Sequence, residues 1–424
     1  MPSQGYYTRK GGEGVLSGST LMTGNLAAAW GARLAGVDYV PAYPITPQTE
    51  IIETIAKWVR LGQMKGKLVQ MDSEHSMLTA AGSASLSGAR VFTATSSQGL
   101  LYGLEMLYNI SGWRAPILLV NVSRGLAAPI TLEPDHNDVL AARDSGFLQF
   151  HAETCQEVLD LILLGYRVAE DRSVLLPAIV NLDGFYLSFT REKVELPKMD
   201  TVSTFLPEYD PPAPLRATKP VSHGATVLSG NLYSYFRYRM HAASLEASEV
   251  FRKASAEYGG LFGREYEATE GYMLQDAEYV IVMSNSFTTI GKQVVAKLRE
   301  RGVAAGLLKL RMLRPFPFDD VAKSLAGRRA VAVFDQNLSP GFGGILYPEI
   351  LASLYHKKNR PQFVLPVVGG LGGKQLTVQE LERVFESLRN GPPTFPDRPD
   401  PMYLMREDEF DRAKRNIAIA SGGG

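Results

Sequence analysis

At 424 residues the chain is long enough for two or three domains, and its 44 basic residues balance its 44 acidic ones, so net charge marks neither nucleic acid nor an anionic membrane surface as a partner. No window approaches about eighteen uninterrupted apolar residues, and the opening MPSQGYYTRKGGEG lacks the apolar core of a secretory signal; a cytoplasmic protein is the expectation. With Cys155 as its only cysteine the chain can form no internal disulfide and hold no iron–sulfur cluster by itself, and its scattered histidines suggest no zinc site.

The first half alternates helix and strand signals. Apolar periodicity predicts a helix over residues 25–34, a strand over 38–42 and a helix over 48–59 with Ile51, Ile52, Ile55 and Trp58 along one side. A short apolar run at 68–71 precedes Ser73-Glu74 and a helix of small residues (Ala80, Ala81, Gly82, Ala84, Ser85) that another chain could approach closely. A strand over 90–95 ends in Ser96-Ser97-Gln98-Gly99, followed by a helix over 101–110, a buried strand over 116–122 and a loop over 123–138. A strand at 147–151, a helix carrying Cys155 as a buried small hydrophobe, and a strand at 176–182 complete a pattern that implies a parallel sheet covered on both faces.

The stretch 196–223, with PEYDPPAPLRATKP, reads as a surface connection or arm, and a charged helix is expected over 235–258. Alternation then resumes as a second, smaller α/β unit: strand 279–283, helix 290–301, strands 305–310 and 330–334, helix 345–354, strand 363–368, helix 378–388. The tail opens PPTFPDRPDP and turns helical near 408–417.

Ser73 is placed to cap the helix that Glu74 opens, at the end of a strand, where open α/β sheets bind ligands. Taken alone, Glu74 also fits a solvated carboxylate favoured by the helix dipole. The glycine runs Gly341-Phe342-Gly343-Gly344 and Gly369-Gly370-Leu371-Gly372-Gly373-Lys374 match neither GxGxxG with an acidic partner nor GxxxxGK[ST], and read as tight turns or close contacts.

Ala42-Tyr43-Pro44-Ile45-Thr46-Pro47, Ser73-Glu74, Thr95-Ser96-Ser97-Gln98-Gly99, Arg124 and Asp183-Gly184-Phe185, in that order, resemble the α chain of the 2-oxoacid:ferredoxin oxidoreductases of the pyruvate:ferredoxin oxidoreductase type. The resemblance runs to about Leu388, through Leu308-Lys309-Leu310-Arg311, Arg314-Pro315-Phe316 and Gly370-Leu371-Gly372-Gly373. It implies a pyrimidine-type thiamine diphosphate domain, doubly wound on a parallel sheet, over residues 1–235 with a Pro-rich arm at 197–223. It further implies a linker helix at 236–268, a smaller transketolase-C-terminal-like α/β domain at 269–390 and a docking arm at 391–424.

By the same resemblance, Glu74, Ser97 and Gln98 bind the cofactor, Glu74 and Thr46 are catalytic, and Arg124, Thr46, Tyr43 and Pro44 contact the substrate. A carboxyl group bonded to the pyrimidine ring nitrogen favours the imino form of thiamine, which activates the thiazolium carbon. A permanently charged, planar arginine suits a 2-oxoacid carboxylate. Read without the resemblance, Thr46 would be a helix N-cap, Arg124 a surface salt-bridge partner and Asp183 a turn former. The magnesium-diphosphate site is expected on a β subunit, the [4Fe-4S] clusters and coenzyme A site on iron–sulfur and γ-type subunits, and ferredoxin or another acceptor takes the electrons. No metal site is expected in this chain. At Leu132-Glu133-Pro134 the loop departs from the tryptophan-containing version of pyruvate-type members, which leaves pyruvate and bulkier oxoacids such as phenylglyoxylate open. A non-catalytic scaffold chain and a nucleotide-binding dehydrogenase are the alternatives.

Overall fold

The computed structural model describes residues 18–391 and 400–420. The first sheet is five-stranded, in the order Met312–Arg314, Leu148–His151, Ala178–Asp183, Leu118–Ser123, Phe92–Thr95. The last four are mutually parallel, and Leu118–Ser123 and Ala178–Asp183 are buried at every residue, as continuous apolar runs covered on both faces should be. Beside Phe92–Thr95 lies a parallel pair, Tyr39–Ala42 with Lys67–Gln70, joined to it by a single bridge between Tyr39 and Val91. Pro41 has no N–H to give a ladder, and the Thr93 hydroxyl donates to its carbonyl at 2.7 Å instead.

The second sheet is six-stranded, in the order Met402–Tyr403, Phe363–Val368, Ala330–Asp335, Tyr279–Ser284, Ala305–Leu310, Thr269–Tyr272, with only the last antiparallel to its neighbour. Both halves therefore have the α/β architecture expected from the alternation of patterns. A further antiparallel pair, Gly18–Thr23 with Arg191–Leu196, was not expected.

Several elements differ from the sequence pattern. The helix expected over 101–110 is two, Ser97–Tyr102 and Leu104–Trp113, parted at Gly103, where a Cβ would stand 2.3 Å from Leu78 Cδ1. The stretch 196–223 contains a helix, Met199–Phe205, whose two buried residues, Val202 and Phe205, are too few to show periodicity. The charged helix runs from Gly230 to Phe262, and its later half buries Phe251 and Tyr258 next to the Cys155–Ala169 helix. Cys155 is buried, which pushes its thiol pKa up. In the tail, Met402–Tyr403 extends the second sheet while the helix Glu407–Ala420 buries no residue; residues 392–399 of the PPTFPDRPDP stretch lie outside the described residues. Among the described residues no helix is long and apolar enough to cross a membrane.

The two halves are interlocked. Met312–Arg314, from the later half, forms the antiparallel edge of the first sheet against Leu148–His151. Beneath it, Lys309 and Arg311, fully buried or nearly so, meet Glu153 and Glu157 of the first half: Lys309 Nζ to Glu153 Oε2 is 2.7 Å and Arg311 Nη2 to Glu157 Oε1 is 3.0 Å. Lys292 bonds Glu153 at 2.8 Å and Glu270 at 2.9 Å, and Arg311 also pairs with Glu270. Anions and cations match in number, the condition under which buried charges are tolerated.

Candidate functional site

Ser73 Oγ accepts the Ser76 amide at 3.2 Å, the N-cap expected from the sequence, and so fixes Glu74 as the first residue of the helix Glu74–Leu86. Glu74 is not a solvated carboxylate: it is only 5% exposed. Gly99 of the neighbouring turn lies so near that a Cβ there would stand 2.4 Å from Glu74 Oε1 and 2.6 Å from Thr95 Oγ1. Burial raises the Glu74 pKa, opposed only by its own backbone amide. Among the described residues no other group donates to this carboxylate, and the buried hydroxyls of Thr95 and Ser96, at the end of the neighbouring strand, also lack partners.

A second group of residues meets at the ends of adjacent strands. Arg124, just past Leu118–Ser123, donates from Nη1 to the Thr46 carbonyl at 2.8 Å and from Nη2 to Gln98 Oε1 at 3.0 Å. Ser97 Oγ lies 2.6 Å from Gln98 Oε1 and 2.8 Å from the Gly125 carbonyl, with one hydroxyl proton to give to either acceptor. Arg124 is no salt-bridge partner, for among the described residues no carboxylate pairs with its guanidinium; its Nε is buried and unbonded, and burial lowers its pKa. Nor is Thr46 a helix cap, because Gln48 precedes the helix Thr49–Arg60 and makes no side-chain capping bond. Tyr43 is half-buried, with its carbonyl accepting from Gln48 Nε2 at 2.9 Å, and Pro44 is exposed. The structure thus brings Thr46, Ser97, Gln98 and Arg124 together directly, and Glu74 joins them through Gly99.

Sequence reasoning missed Asp138. Its Oδ2 accepts from the amides of Ser97 at 3.0 Å and Arg124 at 3.2 Å and from Asn121 Nδ2 at 3.1 Å, tying both site turns to one buried carboxyl. Burial pushes that carboxyl up to about 6, against the pull of the Asn121 and Ser97 donors. The available signal was an asparagine inside each of two apolar strands, Asn121 and Asn181, which bond each other at 2.8 Å. Asp183 is likewise more than a turn former. It pairs with buried His136 at 2.9 Å and accepts the amide of Ser286, from the later half of the chain, at 3.0 Å; these contacts hold its carboxyl low despite burial. Among the described residues no cluster of carboxylates, histidines or cysteines could hold a metal ion.

Comparison with known proteins places the chain in a family. The thiamine diphosphate-binding family of pyruvate flavodoxin/ferredoxin oxidoreductases matches residues 30–256, and pyruvate:ferredoxin oxidoreductase core domain II matches residues 277–381. Pyruvate synthase subunit PorA of Methanothermobacter thermautotrophicus is 41% identical over 370 residues, 87% of this chain and 95% of that one. PorA of Pyrococcus abyssi is 38% identical over 377 residues, 88% of this chain and 95% of that one. Ketoisovalerate oxidoreductase subunit VorA of Pyrococcus horikoshii is 38% identical over 371 residues, 87% and 93% of the two chains. In fold the chain is similar to a 2-oxoglutarate:ferredoxin oxidoreductase from Magnetococcus marinus, with TM-score 0.66 at 20% identity over 88% of this chain and 66% of that one. With sequence motifs, fold and relatives in agreement, this chain belongs to the pyruvate flavodoxin/ferredoxin oxidoreductase family and is a subunit of a 2-oxoacid:ferredoxin oxidoreductase.

Proposed function

We propose that this is the α-type subunit of a cytoplasmic, multi-chain enzyme that oxidatively decarboxylates an aliphatic 2-oxoacid with coenzyme A, giving an acyl-CoA, carbon dioxide and reduced ferredoxin. The observation that carries the substrate reading is the guanidinium of Arg124, held by two neutral oxygens and, among the described residues, by no carboxylate. A half-buried guanidinium with no carboxylate bonded to its fork among the described residues, and only Asp138 near enough to act on its charge, favours an incoming carboxylate, and its planar fork suits a bidentate contact. Thr46, whose carbonyl anchors Arg124, carries its hydroxyl on the same turn.

The residues present fit thiamine diphosphate. Glu74 combines a raised pKa and burial with, among the described residues, no donor but its own backbone amide and a floor at Gly99 that a side chain would fill, so its carboxyl is free to share a proton with a pyrimidine ring nitrogen. A charge-assisted bond there contributes about 1.5–3 kcal/mol, enough to bias a tautomer. When bound, the cofactor supplies the carbon nucleophile that attacks the 2-oxo group. This chain contributes the carboxyl at the ring, the neutral walls from Ser97 and Gln98, and the cation for the substrate. A β subunit holding the magnesium diphosphate, with iron–sulfur and γ-type subunits for electron transfer and coenzyme A, completes the enzyme.

The division into a pyrimidine-type domain, residues 1–235, a connecting helix at 236–268 and a smaller domain at 269–390 belongs to the same reading, as does the terminal docking arm. Relatives named for pyruvate and ketoisovalerate support an aliphatic oxoacid and give phenylglyoxylate no support. Neither a dehydrogenase nor a silent scaffold finds support, since Tyr43-Pro44 stands where a dinucleotide turn needs glycine and Glu74, Thr46 and Arg124 are all present. The test is to purify the complex and assay pyruvate, 2-oxoisovalerate and 2-oxoglutarate with coenzyme A and a viologen dye. Turnover of the first or second is expected, and turnover of none would overturn the reading.

A further inference from the structure

We infer that the glycine turn of the second half, Gly370-Leu371-Gly372-Gly373, is a positioning element for Arg124, acting through the bridging segment 133–138. The inference rests on the reading of Arg124 as the substrate-carboxylate group.

The bridge is bonded on both sides. Toward the arginine, the Gly125 amide donates to the Glu133 carbonyl at 3.0 Å, and Asp138 Oδ2 accepts the Arg124 amide at 3.2 Å. Toward the second half, the Gly373 amide donates to the Pro134 carbonyl at 2.9 Å, the Gly372 amide to Asp135 Oδ2 at 3.3 Å, the His136 amide to the Gln336 carbonyl at 2.8 Å, and the Leu338 amide to Asn137 Oδ1 at 3.1 Å. Asp135 spans the two sides in one residue. Its Oδ2 takes the Gly372 amide and also lies where a Cβ on Gly125, the residue after Arg124, would come within 3.0 Å. It is 6% exposed, and its Oδ1 accepts the Asn137 amide at 3.0 Å.

The turn has little freedom to move away. Tyr186, packed edge-on against Phe287, donates its hydroxyl to the Gly373 carbonyl. A Cβ on Gly373 would stand 2.3 Å from Glu133 Cβ, so glycine here sets how closely the turn seats on the bridge. Displacement of the turn is therefore passed to the backbone of residues 124–125. A shift of this kind, remote from the chemistry, costs affinity for the group the arginine holds.

Two neighbouring glycines separate seating from backbone strain. Both have positive φ, 54° at Gly372 and 76° at Gly373, but a Cβ on Gly372 meets nothing nearer than 3.8 Å. In the assembled complex, Gly373→Ala is expected to raise KM for the 2-oxoacid on the order of tenfold, with kcat and the KM for coenzyme A little changed, and Gly372→Ala to raise it by no more than about twofold. Amide hydrogen exchange across residues 125–138 should quicken in Gly373→Ala alone. Pairing Gly373→Ala with Glu133→Gly, which removes the colliding Cβ, should restore both readouts. Should Gly373→Ala fail to assemble, Asp135→Asn carries the test: with one oxygen it cannot accept from both Gly372 and Asn137, so the same rise in KM and exchange is expected. Equal effects of the two glycine variants, or parallel loss of kcat and coenzyme A affinity without faster exchange, would overturn the inference. Arg124→Lys is assayed alongside. If it leaves the 2-oxoacid KM unchanged, the substrate reading has failed; if it raises KM while Gly373→Ala does not, only the positioning inference has.

Discussion

Gly99 leaves its Cβ direction to the carboxylate of Glu74: an added methyl would lie 2.4 Å from Oε1. The absence of a side chain at one residue is thus what makes room for the carboxylate of the other. Because Gly99 sits inside the helix Ser97–Tyr102 without positive φ, alanine there is conformationally acceptable, and its penalty is steric and local.

Gly99→Ala should accordingly weaken thiamine diphosphate binding by roughly tenfold or more while costing the cofactor-free complex no more than the roughly 1–3 kcal/mol of local overpacking. Titration of the cofactor-free complex followed by tryptophan fluorescence measures the first, and a thermal melt the second. Unaltered cofactor affinity would mean that the carboxylate of Glu74 is not where the pyrimidine sits.

Glu74→Gln and Arg124→Leu should fail differently. The first keeps size but cannot hold the proton as a carboxyl does, and is expected to slow hydrogen–deuterium exchange at the thiazolium carbon for every substrate. The second should leave that exchange intact and reduce kcat/KM for the 2-oxoacid by roughly thirty-fold to a few thousand-fold, the equivalent of about 2–5 kcal/mol for a charged contact removed. Identical behaviour of the two variants would argue against separate roles.

The ionic joint sets acid stability. Burial works against ionisation of Glu270, yet Lys309, Lys292 and Arg311 hold its carboxyl down to about 2. A depressed carboxyl contributes stability that is complete above its unfolded value, near 4.5, and is lost as pH falls toward 2. The stability difference between the native chain and Glu270→Gln should therefore be constant above about pH 5 and shrink below it. Denaturant melts across this range test the sign.

Lys309→Met should destabilise by about 3–5 kcal/mol, because it leaves Glu153 and Glu157 buried with one cation fewer. An added Glu157→Gln in the same chain should recover part of the loss. Equilibrium denaturation of the two variants measures both effects, and additive losses would contradict a shared network.

Leu132, about half exposed, stands on the bridging loop two residues from Pro134. Leu132→Trp is expected to shift relative kcat/KM toward pyruvate over 2-oxoisovalerate by up to the tenfold or more that about 1–3 kcal/mol of apolar discrimination allows. An unmoved ratio, with assembly intact, would place selectivity on a partner subunit.

What the sequence determined by itself was whatever depends on near neighbours along the chain. Helix and strand periods are repeats of a few residues, the Ser73 cap reaches only to Ser76, and the end of an apolar strand marks Arg124 as an edge residue; these signals are local and were legible. The tertiary structure alone decided what depends on which distant segments meet. Asp138 reaches Ser97 across 41 positions, and nothing in the sequence announces that an aspartate in the short helix Asn137–Ala141 will gather two strand ends. Met312–Arg314 is too short to show a period and becomes a strand only because Leu148–His151 offers an open edge. The lack of a carboxylate on the guanidinium of Arg124 among the described residues and the room that Gly99 leaves for the Glu74 carboxylate likewise depend on which segments meet, and exist only once every other segment has taken its place.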